Sequence, residues 1–160
     1  MHDKFFEAVD LRLCVCGSIK ENIIRAVING FESATVSPSE FSHASHLTVA
    51  AAYLLELPFQ EALSRMRDGL RRLLELNGLE GYNETITVFW LLYVMNFIVE
   101  AGHGMDQLEL TNRLLASCSG SALIKSFFSA ELLSSEIARA EWVEPDVKPI
   151  PWQTGGNYNI

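Results

Sequence analysis

The sequence predicts an all-α domain, on three observations. Apolar residues recur at helical spacing through most of the chain. No window alternates apolar and polar side chains as a half-buried strand requires. Residues 59 to 144 contain no proline, so nothing in that stretch forces a helix to break. The expected architecture is an irregular bundle of five to seven helices. An apolar helix over about 83–101 should stand at its centre, followed later by an extended C-terminal tail.

The elements follow in order. Residues 1 to 18 read ambiguously and end on a Gly17-Ser18 break. A first helix is expected over about 18–32, where Ile23, Ile24, Val27, Ile28 and Phe31 share one face. Ala34 to Ser42, with Pro38, is a loop. A second helix, about 42–57, carries the stripe His46, Val49, Ala50, Tyr53, Leu54 and Leu57. Pro58 ends it and suits the first position of the third helix, where its missing N–H costs nothing. That third helix, to about 77, buries Phe59, Leu63, Met66, Leu70, Leu73 and Leu74 on one face. Its other face offers Glu61–Arg65 and Asp68–Arg72 pairs, acid before base at i, i+4. Asn77-Gly78 is a C-terminal stop.

The fourth helix, 83–101, has only Thr87 and Asn96 polar between Ile86 and Val99, so it should be buried all round. Gly102 and Gly104 close it. Further helices are expected near 106–116, 121–133 and 135–142, the last opened by an N-cap serine. Three prolines between Val143 and Pro151 then give the chain an extended character. The expected division is therefore a helical domain over 1–142 and a tail over 143–160.

Bulk properties narrow the function classes. At 160 residues, 49% apolar and 20% charged, the chain is one globular domain rather than a disordered tail. A net charge of -8 repels polyphosphates, so no nucleic-acid partner and no anionic-membrane partner is expected. Three cysteines, Cys14, Cys16 and Cys118, are too few and too irregular for a secreted disulfide framework, and read as thiols in a reducing compartment. Asp3, Glu7 and Asp10 stand where an export signal needs basic residues, so a cytoplasmic location is expected. The apolar run Ile86 to Val99 would make about 21 Å of helix, short of the roughly 30 Å bilayer core, and reads as a buried helix.

Chemistry concentrates at two helix starts. His43 and His46 form an i, i+3 pair on one helical face, close enough for two rings to reach one ion. The helix dipole there disfavours imidazolium, keeping the rings in the neutral form that a metal or a general base needs. Glu84 and Thr87 occupy the first turn of the apolar fourth helix, inside the polar run Asn83-Glu84-Thr85-Ile86-Thr87. If those two helix starts converge, His43, His46 and Glu84 would hold a divalent metal, with Asn83 and Thr87 completing a site for a small polar ligand. Hydrolytic or acid–base chemistry is then the functional expectation. The opposing expectation is a non-catalytic interaction or structural module, with the same side chains in a buried hydrogen-bond network.

Other features carry less. Arg65, Arg67, Arg71 and Arg72 are interleaved with Glu61, Asp68 and Glu75 and read as a solvated face. His103 sits between glycines as a loop residue, and His2 is terminal. Phe89, Trp90, Tyr93 and Phe97 read as core. There is no phosphate-binding glycine loop, nucleophile elbow or HExxH motif. Trp142 and Trp152 beside the extended tail leave room for a docking surface, a second copy of the chain included.

Several stretches together resemble a family of small bacterial all-helical proteins to which no activity is attached. They are Phe41-x-His43-x-x-His46-Leu47, Tyr53-Leu54, Tyr82-Asn83-Glu84-Thr85-Ile86-Thr87, Ser135-x-x-Ala138-Arg139 and Val143-Glu144-Pro145-Asp146. The resemblance spans roughly residues 20 to 151. It implies a constellation of three histidines and a glutamate, in which Asn83 stands where the family commonly has histidine. An amide is a poor ligand for zinc-like ions, so the departure weakens the metal expectation.

Overall fold

Side-chain oxygens start most of the helices. In the computed structural model, which describes residues 20–102, 104–118 and 120–152, Ser42, Asn83, Asp106, Ser129 and Ser135 each accept a hydrogen bond from the backbone N–H three residues on. The helices so defined are α1 (Glu21–Glu32), α2 (His43–Glu56), α3 (Phe59–Leu76), α4 (Glu84–Ala101), α5 (Gln107–Ser117), α6 (Ala130–Ser134) and α7 (Glu136–Ala140). A 3-10 helix, Ser121–Ser126, lies between α5 and α6. The described residues are thus all-α, as expected. The readings of His2, Cys14, Cys16, His103 and the chain beyond 152 lie outside the described residues.

Two expected elements differ. Pro58 serves as the N-cap of α3, its carbonyl accepting from Glu61 and Ala62, rather than as the first helical residue. The single helix expected over 121–133 is divided, because Ser129 caps a new start at α6. Asp146 fixes that break: its carboxylate accepts from the Ser129 N–H at 2.7 Å and from the Ser129 hydroxyl at 2.6 Å. The Asn77-Gly78 stop is as expected, with Gly78 at φ +62° and Leu79 N–H returning to the Leu74 carbonyl.

α4 is central, and so is α2. Every residue of α2 from Ser45 to Leu54 is buried, and the helix packs against α1, α3, α4 and α5. The run Ala50-Ala51-Ala52 permits this, since small side chains let neighbouring helices approach on several sides. α4 is buried through its first two-thirds, including Phe89 and Trp90, both 0% exposed. Its last turns emerge, with Val99 65% exposed, so the expected burial all the way to Val99 does not hold. At 18 residues α4 is long and apolar enough to cross a membrane by length and composition alone, yet 56% of it is buried against the other helices.

α1 closes over the outside of α2 and α3. Phe31 stacks on Phe41 with ring centroids 4.8 Å apart, and its ring edge lies directly over the Gly69 backbone of α3. Arg72 donates to the Glu32 carbonyl at 2.6 Å and, among the described residues, does not form the expected pair with Asp68, while the Glu61–Arg65 pair forms as expected at 3.0 Å. Residues 143–152 are extended but lie on the bundle. Ile150 is 1% exposed, Val147 N–H donates to the Phe127 carbonyl, and the Trp152 ring packs among Phe89, Tyr93 and Phe127.

Candidate functional site

The start of α4 faces α3, and that placement decides what Glu84 meets. Its side chain is only 7% exposed. Arg67 reaches it with two donors, Nε to Oε2 at 3.0 Å and Nη2 to Oε1. The Tyr82 hydroxyl donates to Oε2 at 2.6 Å. Arg71, one turn further along α3, brings Nη2 to 4.0 Å from Oε2 and lays its guanidinium 4.6 Å above the Tyr82 ring. Burial alone would raise the Glu84 carboxyl. The hydrogen bonds from Arg67 and Tyr82, and then the charges of Arg67 and Arg71, outweigh it and hold the group below the ordinary carboxylate range. The phenol of Tyr82 is pushed the other way, to about 12, first by burial and then by its bond to Glu84.

Glu84, Arg67 and Arg71 line a cleft of about 430 Å³ between α3, the start of α4 and the segment after α7, with Gln60, Glu141 and Trp142 also on its walls. Trp142 is half-buried, and its indole N–H donates to Glu144 at 3.2 Å. The far wall is tied to α4 through Thr85. That hydroxyl donates to the Glu141 carbonyl at 2.8 Å and accepts from the Val143 N–H at 3.2 Å.

The two histidines lie elsewhere in the core. His43 sets its ring edge-on to Trp90, centroids 4.3 Å apart, and brings Nε2 to 3.7 Å from the Cys118 sulfur. Its Nδ1 is buried with no hydrogen-bond partner among the described residues. His46 is 2% exposed, with its ring 6.1 Å from that of Phe41. Burial pushes His43 down to about 4; burial, and then the charge His43 would carry, push His46 to about 3. Both are neutral near pH 7, as expected, but burial is the cause.

The expected convergence does not form. Among the described residues no three His, Cys, Asp or Glu side chains are grouped so as to hold a metal ion, so His43, His46 and Glu84 are not a ligand set. The physical reason is the pairing of Glu84 with guanidinium groups on α3, while the histidines face aromatic core. Asn83 and Thr87 are also turned to backbone duties. Asn83 accepts from Ile86 N–H at 3.0 Å and donates to the Leu133 carbonyl at 2.7 Å; the Thr87 hydroxyl donates to the Asn83 carbonyl at 2.9 Å. Of the five residues expected to form the site, His43, His46, Asn83, Glu84 and Thr87, Glu84 alone lines the cleft. Arg67 and Arg71 were read as solvated surface. The available signal was their i, i+4 spacing at the border of the apolar face, with no acid at position 63 to pair Arg67 along the helix.

No protein-family model, no curated protein and no solved structure matches this chain.

Proposed function

We propose that the chain is a ligand-binding helical domain whose site is the cleft around Glu84, taking a small polar molecule without transforming it. The observation that carries this reading is the cleft itself. It joins a size suited to a small molecule with a rigid, largely polar wall of Arg67, Arg71 and Glu84. Binding is favoured over hydrolysis by the state of the carboxylate. A general base works best with a pKa near the operating pH, and Glu84 is held well below it by two guanidinium groups and a phenol. His43 and His46, neutral and enclosed, support a structural role in fixing the start of α2. A reducing location such as the cytoplasm suits the half-buried Cys118 thiol beside His43.

The test is a fragment titration of the 15N-labelled protein with neutral amides, polyols and small carboxylates. The Trp142 indole and the Nε–H signals of Arg67 and Arg71 should shift saturably with at least one of these classes. Glu84→Gln, which loosens Arg67, should weaken the response. Shifts confined to other surfaces would remove the cleft as the site.

A further inference from the structure

We infer that the ligand of this cleft carries a small oxyanion group, a carboxylate or a phosphate monoester, and that Arg71 receives it. The inference rests on the cleft reading above and adds the chemistry of what enters it.

The two arginines of the cleft are not equivalent. Arg67 gives Nε and one Nη to Glu84 in a two-point pairing, so its charge is met. Arg71 comes no closer than 4.0 Å to the same carboxylate, and among the described residues its guanidinium donates no hydrogen bond. Guanidinium offers five donors in a planar fork that matches the oxygens of a carboxylate or phosphate. Those donors stand over the cleft in a side chain that is 52% exposed, reachable by a solute.

Arg71 is also held in place. Its guanidinium carbon lies over the Tyr82 ring, 4.6 Å from the centroid, and the Tyr82 hydroxyl is fixed by Glu84, which Arg67 fixes in turn. A surface arginine ordinarily loses rotamer freedom when it captures an anion. Stacking removes much of that freedom beforehand, so the fork is presented rather than recruited. Glu84 has a second effect. Its charge is spent on Arg67, while the Tyr82 phenol, raised first by burial and then by its bond to Glu84, is neutral at ordinary pH, so no phenolate opposes an incoming anion.

Charge sets the size of the group. Arg67, Arg71, Glu84 and the exposed Glu141 leave the cleft with no formal surplus, and the whole chain carries -8. A polyanion would gain one guanidinium and meet repulsion everywhere else. A single oxyanion on a small body fits the arrangement, and the half-buried Trp142 ring offers an apolar contact for that body.

The experiment titrates the 15N-labelled full chain separately with acetate and with inorganic phosphate, at ionic strength held constant with chloride. A neutral amide and a polyol form a third arm. The Arg71 Nε–H and Trp142 indole signals are expected to move saturably with at least one anion. Arg71→Gln should weaken that binding about tenfold or more, the size of losing a charged hydrogen-bond partner. Arg113→Gln, in an exposed pair on α5, should change nothing. If the neutral probes occupy the cleft and both anions fail to, the site stands and the oxyanion assignment falls. If no probe reaches the cleft, the site and the assignment fall together. Equal shifts at Arg25, Arg65, Arg71 and Arg113 would mean non-specific ion association, and would also overturn the assignment.

Discussion

Burial keeps an imidazole neutral where no carboxylate among the described residues offsets it, and that makes His43 and His46 acid-sensitive supports. In the unfolded chain each takes a proton at the ordinary value near 6.5; in the fold they resist until about 4 and 3. Between those values the unfolded chain holds more protons, so stability is full above about pH 6.5 and drains as the pH falls toward 4 and 3. The slope should approach about 1.4 kcal/mol per pH unit for each histidine. Urea midpoints measured at about pH 7 and pH 4.5 should therefore separate clearly, and His46→Gln should narrow the gap. A gap unchanged by that substitution would mean the native ring protonates in place. The i, i+3 spacing of the pair was legible in the sequence, and so was its neutrality. What faces the rings was not, because periodicity fixes a helix face and leaves open which residues oppose it: Trp90 lies 47 positions from His43 in the chain, and Cys118 lies 75.

At the scale of elements, α3 shows why one glycine stands mid-helix. Gly69 costs about 1 kcal/mol in helix propensity relative to alanine. A methyl group there would run into the edge of the Phe31 ring, which is fully buried and stacked on Phe41, with little room to move aside. Gly69→Ala should consequently lower the melting temperature, an overpacking loss of roughly 1–3 kcal/mol exceeding the propensity gain. A rise in melting temperature would show that α1 can retreat from α3 at little cost. The helices themselves were readable because their caps and stops are local: Ser42, Asn83, Asp106 and the Asn77-Gly78 pair act within a turn of where they stand. The split at Ser129 was harder to read, since half of its cause is Asp146, 17 residues on. The Glu84 pairing failed the same way. Arg67 is one of several arginines on its helix, and only the crossing of α3 and α4 selects it.

For the whole molecule, two central helices replace the one that composition pointed to. α2 looked like a one-sided helix because alanines make little impression on a hydrophobic stripe, yet they are what lets four neighbours close around it. Hydrogen exchange should be slowest for the α4 amides from Val88 to Val94 and for the α2 amides that face them, since these open only with global unfolding. Trp90→Ala should cost about 3–5 kcal/mol, because that ring is wholly enclosed between His43, Phe89 and Tyr93. A cost below roughly 1 kcal/mol would be incompatible with such enclosure.

The hydrogen bonds of Asn83 and Thr85 reach partners at Leu133, Glu141 and Val143, which are 50, 56 and 58 positions later in the chain. A ribosome makes α1 to α5 first, so the central helices can associate while these partners are still unmade. Through that interval the Asn83 amide N–H and the Thr85 hydroxyl have only water in place of those partners, and the cleft lacks the wall formed by Glu141 and Trp142. Synthesis order places the joining of residues 141–143 to Thr85 after α1 to α5 have been made. A nascent chain therefore brings α1 to α5 together before the proposed cleft is complete, and a translational pause between α5 and α6 would leave those helices without the wall that Glu141 and Trp142 supply.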